Sequence, residues 1–255
     1  MVAVVVAAVV GTVVAFNALS SGGKRTGSTT PSSQASVPSS TPPSSASPAT
    51  PATPAGCNFV KTPEEPAPRP VGLPANANPP RQGTVAVTVT TNQGVLPVIL
   101  DRSKAPCTVE NFLSLANAGF YNNTPCHRLV TLETLKVLQC GDPTGTGKGG
   151  PGYTIPDEPP TGLKPSNAGA AVYPRGTVAM AKTAAPNSGG SQFFLVYADS
   201  QLSPDYTIFG TVAEPGIKVL EKIAAGGVDS AGATEPGDGK PKLAITLQSV
   251  TIAKP

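Results

Sequence analysis

The sequence predicts a mainly β domain: a closed antiparallel eight-stranded barrel capped by two short α-helices, preceded by an apolar helix and a disordered linker. Three observations predict it. Eight short segments have strand character, several alternating apolar and polar residues with a period of two. Only two stretches carry apolar residues at helical spacing. The connections are long and rich in the chain's 27 glycines and 30 prolines, spread over 255 residues. Many short strands with two brief helices close most simply as a barrel plugged at its ends.

Residues Val2 to Phe16 are almost all Val and Ala, broken by Gly11 and Thr12. Counted to Leu19, the run lies near the lower limit of about 17–25 residues that cross a bilayer. Lys24 and Arg25 follow it and no basic segment precedes it. Taken literally, that places the rest of the chain on the cytoplasmic side. We expect instead that a basic segment precedes the chain start, and that 1–19 is an uncleaved anchor, since no convincing cleavage site follows. Residues 20–56 are Ser, Thr, Pro, Ala and Gly with no apolar period, hence a disordered tether. Residues 57–82 stay proline-rich but include Cys57, Phe59 and Val71, an extended arm.

The compact domain spans 83–255. Val85, Val87 and Val89 alternate with Ala86, Thr88 and Thr90. Asn92-Gln93-Gly94 turns the chain, and Val95 to Leu100 returns as a hairpin. Pro97 places its own position outside the ladder or at a bulge. Pro106 opens a helix with Val109, Phe112, Leu113 and Ala116 on one face, closed by Gly119. Strands follow around 127–130 and 136–139, then a long loop over 142–175. Further strands are expected at 176–181, 192–197, 207–212 and 244–251. A second helix, 217–224, carries Ile217, Leu220 and Ile223 and stops at Gly226-Gly227.

Net charge is only +3, without the concentrated basic face that nucleic acid would require. Cys57, Cys107, Cys126 and Cys140 have no Cys-x-x-Cys spacing, and His127 is the single histidine, so no metal site is expected. Four cysteines beyond an apolar start suit an oxidising compartment.

Gly190-Ser191-Gln192-Phe193-Phe194-Leu195 is the most informative segment. Strand period places Gln192 and Phe194 on one face, an amide beside a flat apolar wall. That surface suits a peptide offering a backbone carbonyl and a proline ring.

Seven strings in order then resemble the cyclophilins, the family of peptidyl-prolyl cis-trans isomerases. They are Thr108-Val109-Glu110-Asn111-Phe112, Gly119-Phe120-Tyr121-Asn122-Asn123-Thr124, His127-Arg128, Gln139-Cys140-Gly141-Asp142-Pro143, Gly176-Thr177-Val178-Ala179-Met180-Ala181, Asn187 to Leu195, and Tyr206-Thr207-Ile208-Phe209-Gly210-Thr211-Val212. Together they run from about Gly83 to Ile252. The layout of anchor, tether and domain resembles membrane-tethered actinobacterial members.

The resemblance implies an isomerase that accelerates X–Pro rotation in exported proteins or peptides, with no cofactor and acting as a monomer on the outer side of a membrane. Rotation meets a barrier of about 18–20 kcal/mol set by amide resonance. No covalent bond need break; a catalyst binds the twisted amide better than either planar form. Twisting leaves a lone pair on the proline nitrogen, and a donor aimed there stabilises only the twisted state. Arg128 matches the family's catalytic arginine, always charged and offering several fixed donors. Gln139 and Gln192 match positions that orient it or bond the substrate backbone. Phe194 matches the floor of the proline pocket, with Val137 and Leu202 as walls. Ala181 and Lys182 match backbone contacts, and Gln201 and Tyr206 match positions lining the site. His127 matches a buried residue on the opposite face from Arg128, which argues against a hydrolytic Ser191–His127 pair.

The chain also departs from the pattern. The turn between Arg128 and Gln139 is longer than usual. It places Lys136 where an aromatic pocket residue is common and Val137 where methionine is common, unless Leu135 swings in. Gln201 stands where many eukaryotic members have tryptophan, and Tyr206 where they have histidine. Four cysteines allow three pairings. With Cys126 and Cys140 on expected neighbouring strands, we expect Cys126–Cys140 with Cys57–Cys107, though sequence does not choose. Two rival readings remain: a catalytically weak proline-binding or chaperone module on the same fold, and a cytoplasmic isomerase whose apolar start is not translated.

Overall fold

The computed structural model describes residues 56–232 and 235–253. The expected anchor, and the linker up to residue 55, lie outside them. Among the described residues no helix is long and apolar enough to cross a membrane.

Along the chain come β1 (Val60–Lys61), the long hairpin β2 (Thr84–Thr91) and β3 (Gly94–Asp101), helix α1 (Pro106–Asn117), β4 (Thr124–Pro125), the hairpin β5 (Arg128–Thr131) and β6 (Lys136–Cys140), and the short β7 (Tyr153–Thr154), β8 (Lys164–Pro165) and β9 (Ala171–Tyr173). There follow β10 (Thr177–Met180), β11 (Phe193–Val196), β12 (Ser200–Leu202), β13 (Ile208–Val212), helix α2 (Glu214–Ala225), β14 (Val228–Asp229), β15 (Asp238–Pro241) and β16 (Thr246–Ile252).

Local chemistry explains the long elements. The β2–β3 register runs from Thr84↔Asp101 to Thr91↔Gly94, so the turn is Asn92-Gln93. Thr91 Oγ1 accepts from Gln93 N at 3.0 Å and donates to the Gly94 carbonyl at 2.6 Å. Gly94 itself has φ 141°, and a Cβ there would meet Val219 Cγ2 at 2.8 Å. Helix α1 has no side-chain cap of its own. The Glu158 carboxylate supplies one, accepting from Cys107 N at 3.0 Å and Thr108 N at 2.8 Å. A carboxylate there satisfies orphan N–H groups and suits the helix dipole.

The expected closed eight-stranded barrel is corrected. Eleven strands form one antiparallel sheet in the order β14-β15-β5-β6-β11-β10-β13-β3-β2-β16-β4, and its two end strands do not pair. The reason lies in those ends. β4 and β14 are two residues each, and Pro125 in β4 has no N–H to extend a ladder. The sheet is nonetheless strongly curled. Only Cys126 and His127 separate β4 at one end from β5 near the other, a span of at most about 10 Å. A disulfide joins Cys126 to Cys140 on β6. A two-residue link and a disulfide thus join β4, at one end, to β5 and β6, near the other.

The region expected as one loop, 142–175, contains β7, β8, β9 and a short 3₁₀ turn at Asn167–Gly169. β8, β9 and β12 form a small separate sheet. The proline-rich segment before β2 is pinned at three places. Cys57 is bonded to Cys107, β1 pairs with β7, and the Arg69 guanidinium donates to the carbonyls of Phe120, Asn122 and Asn123.

The curl separates two apolar regions. The inner one buries α1 and α2 against the sheet through Val109, Phe112, Ile217, Leu220 and Ile223. Its centre is aromatic: Phe112 lies 5.0 Å from Tyr121, 5.4 Å from Phe193 and 5.5 Å from Phe209. The outer one gathers Val130, Val137, Tyr173, Ala179, Phe194, Val196 and Ile208.

Candidate active site

Strand alternation decides which side chains meet on the outer face. The registers place Arg128 opposite Gln139, Gln139 opposite Phe194, Phe194 opposite Ala179, and Ala179 opposite Ile208. One row therefore crosses β5, β6, β11, β10 and β13. The next row, Val130, Val137 and Val196, adds an apolar border. Side chains of one row share a face, because period two sends the residues between them to the inner core.

The apolar end of the row is walled by aromatic rings. Tyr206 packs edge-on to Phe194 at 5.5 Å, and Tyr173 lies 6.5 Å from Phe194. Phe194 is 5 % exposed, while Leu202, Ala181 and Leu135 are partly buried against the same cluster. Burial raises the Tyr206 phenol above its ordinary value, Asp205 adds to the rise, and Lys182 and Arg128 oppose it. The phenol thus lies within the electrostatic reach of the guanidinium.

The polar end is a continuous hydrogen-bond chain. Arg128 Nη1 donates to Gln139 Oε1 at 3.3 Å, and Gln139 Nε2 donates to Gln192 Oε1 at 2.9 Å. Gln192 Nε2 donates to the carbonyls of Gly147 at 2.9 Å and Gly149 at 3.0 Å. That loop is organised by fully buried Asp142, which accepts from the N–H groups of Thr144, Thr146 and Gly147. Burial alone pushes the Asp142 carboxyl up, but hydrogen bonds from the Thr144 hydroxyl and from the N–H groups of Thr144, Gly149 and Gly147 together outweigh it and leave the pKa below the ordinary value. At its other end the chain terminates on Asp238, which accepts from Arg128 Nε at 2.8 Å and Nη2 at 2.6 Å.

The residues anticipated from sequence fall as follows. Arg128, Gln139, Phe194, Val137 and Tyr206 share the outer face, and Leu202 borders it. Gln192 joins them through Gln139, and its amide nitrogen donates to two carbonyls of the loop. The Ala181 N–H is taken by the Gln192 carbonyl at 3.0 Å. Lys182 Nζ pairs with Asp205 at 2.8 Å, its side chain 7 % exposed. Gln201 bonds through its backbone N–H to the Thr134 carbonyl, tying β12 to the β5–β6 turn. Lys136 Nζ donates to the Thr131 carbonyl at 3.2 Å, while Leu135 joins the outer cluster. Ser191 Oγ donates to the Gly141 carbonyl at 2.8 Å and not to His127. His127 is half-buried, its Nδ1 without a partner.

Asp238 was missed. It lies 110 residues from Arg128, in a four-residue strand containing a glycine and a proline, and no local periodicity marks such a strand. The flanking Gly237 and Gly239 were the only signal. A Cβ at Gly239 would lie 2.2 Å from the Asp229 carbonyl oxygen, so only glycine admits this approach.

Two surface grooves lie elsewhere. One separates Pro66, Ala67 and Val71 from Pro151–Tyr153, and the other runs between β2, β3 and α1. Neither contains the Arg128 row. Among the described residues no group of three or more His, Cys, Asp or Glu could hold a metal ion.

Comparison with known proteins agrees with this layout. The sequence profile of the cyclophilin type peptidyl-prolyl cis-trans isomerase/CLD family matches residues 86–252. A Mycobacterium leprae protein named probable peptidyl-prolyl cis-trans isomerase B is 48% identical over 185 residues, which is 68% of this chain and 61% of that relative. A Mycobacterium tuberculosis protein of the same name is 45% identical over 203 residues, 78% of this chain and 64% of the relative. The chain thus spans rather less than two thirds of the length of these curated relatives. The crystal structure of a Cryptosporidium parvum cyclophilin type peptidyl-prolyl cis-trans isomerase superposes with TM-score 0.56 at 32% identity, covering 68% of this chain and 99% of that one. A second structure of that protein, in the presence of the dipeptide Ala-Pro, gives TM-score 0.55.

Proposed function

Because the chain belongs to the cyclophilin-type peptidyl-prolyl cis-trans isomerase family, we propose that it catalyses rotation about X–Pro bonds on the outer face of its sheet. The observation that carries this reading is the single row of Arg128, Gln139 and Phe194 across three adjacent strands. It sets a fixed cationic donor beside an aromatic floor.

The proline ring packs on Phe194, against Tyr206, Val137 and Leu202. That end is apolar, so the ring is desolvated while the peptide on either side stays in water. The guanidinium then lies over the imide. Two of its N–H groups, one on each terminal nitrogen, are not used by Asp238 or Gln139 and point their dipoles at the substrate. One meets the lone pair that appears on the proline nitrogen as the amide twists. Planar cis and trans amides lack that lone pair, so the interaction lowers the barrier and not merely the energy of the bound state.

Substrates are peptides or loosely folded chains with an exposed X–Pro bond. The proposal includes an exported setting, supported by two disulfides, which persist in oxidising compartments. It also includes attachment to a membrane through residues 1–19, whose composition supports that role. The rival binding module draws less support, because Leu135 fills the apolar wall and Lys136 turns its ammonium onto Thr131.

The test is a coupled-protease or exchange-NMR assay on an X–Pro peptide. Arg128→Ala should lower kcat/KM by about 10²–10³, as loss of one aimed donor does elsewhere. Equal, near-background rates in parent and variant would leave the binding module as the better account. Lysine labelling from outside intact cells tests the setting; a labelling pattern of an interior protein would overturn it.

A further inference from the structure

We infer that Asp238 is a positioning residue for the isomerisation: it holds the Arg128 guanidinium in the one orientation that aims its free N–H groups at the imide. This inference rests on the role just given to Arg128.

The geometry is a two-point pair. Nε and Nη2 of Arg128 donate to the two carboxylate oxygens of Asp238 at 2.8 and 2.6 Å. A planar fork held at two points cannot rotate about its stem, whereas a fork held at one can. Gln139 adds a third bond from Nη1. Three of five donors are committed, and the two that remain sit on the two terminal nitrogens. Arg128 and Asp238 are also shielded unequally, their side chains 33 % and 15 % exposed. The carboxylate is the more enclosed partner and serves as the fixed point.

The backbone explains why Asp238 is so placed. Asp238 pairs with Val130 across β15 and β5, so it stands diagonal to Arg128 on the outer face. The flanking carbonyl of Gly237 receives the Thr131 N–H at 2.7 Å and its hydroxyl at 3.2 Å. On the other side Gly239 lets the strand close against Asp229. The strand is anchored by its backbone, and the Asp238 carboxylate reaches the Arg128 guanidinium.

The consequence is kinetic. A long arginine side chain left free would have to be ordered in each turnover, and part of the interaction with the twisted imide would be lost in ordering it. Held beforehand, it meets the twisted amide without that loss. Planar substrate gains little from the same restraint, so the effect belongs to kcat and not to KM.

The experiment uses the whole chain. Asp238→Ala and Asp238→Asn are compared with the parent for kcat and KM on an X–Pro peptide, with a thermal melt for each. Asp238→Ala should lower kcat by about tenfold, a change of about 1.4 kcal/mol in the barrier, with KM little changed. Asp238→Asn keeps one acceptor oxygen and should fall between the two. Should Asp238→Ala fail to fold, Asp238→Asn alone carries the comparison. In an Arg128→Ala background the Asp238 change should have no further effect on rate. A kcat equal to or above the parent's would overturn the inference, and would mean that Asp238 restrains the arginine. So would an equal further loss in the Arg128→Ala background. Full activity in Arg128→Ala itself is a separate result: it removes the reading of Arg128 and the inference with it.

Discussion

Gln139 on β6 and Gln192, the residue just before β11, share one hydrogen bond, Gln139 Nε2 to Gln192 Oε1 at 2.9 Å. That bond links the guanidinium to the 142–149 loop. Gln192→Ala removes an acceptor for Gln139 and the donor to two loop carbonyls. Each such bond contributes roughly 1 kcal/mol, so kcat/KM should fall about tenfold. Gln139→Ala should do the same. The double variant should lose less than the product of the single losses, because the amides act as one chain. A fully multiplicative loss in the same assay would show that they act independently.

The two disulfides should separate stability from activity. Cys57 and Cys107 are 50 residues apart, so replacing both by Ser should lower the unfolding free energy by up to about 4 kcal/mol. It should leave kcat/KM near the parent's, because that bond ties down a segment remote from the Arg128 row. Cys126 and Cys140 close a loop of only 14 residues, for which about 3 kcal/mol is expected. Yet Cys126 precedes His127-Arg128 and Cys140 follows Gln139, so this pair should cost activity as well. Urea unfolding and the peptide assay on both variants check this. Equal activity losses would show that the proline-rich segment is not separate from the site.

Asp142 gives the fold an acid-labile point. Its folded pKa lies below the unfolded value of about 3.9. The stabilisation is present above that unfolded value and is lost as pH falls through the folded one. Unfolding free energy measured from pH 6 down to pH 2 should therefore drop more steeply in the parent than in Asp142→Asn. Superimposable pH profiles would contradict this.

His127, the single histidine, offers a spectroscopic probe. Burial lowers its pKa, Asp142 pulls it back up, and nearby Arg128 lowers it further. With the folded pKa depressed, stability is full above the unfolded value of about 6.5 and declines as pH falls from there toward the folded pKa. NMR titration of the one imidazole should give a midpoint below 6.5. The midpoint should rise in Arg128→Ala, where a nearby positive charge is gone. A midpoint at or above 6.5 in the parent would remove both expectations.

Much of this was legible locally. The β2–β3 hairpin follows from alternating valines and a short polar turn. α1 follows from Pro106 and its apolar spacing. The Gln192–Phe194 face follows from strand period alone. The short strands were not legible, because two to four residues are too few to show a period. The closed barrel was expected because ladder closure is the simplest way to remove edges. Here Pro125 prevents it, and a two-residue link with a disulfide takes its place.

Residue types and their spacing determined which side chains had the chemistry: a guanidinium, two amides and a ring, on or beside strands whose period is two. Tertiary structure decided how they are held. Only the pairing of β15 with β5 brings Asp238, which is 110 residues away, against Arg128, and only the folded 142–149 loop puts two carbonyls in reach of the Gln192 amide. The physical reason is that alternation is set between neighbours along the chain, whereas partners across a sheet are set by register between strands that the chain visits far apart.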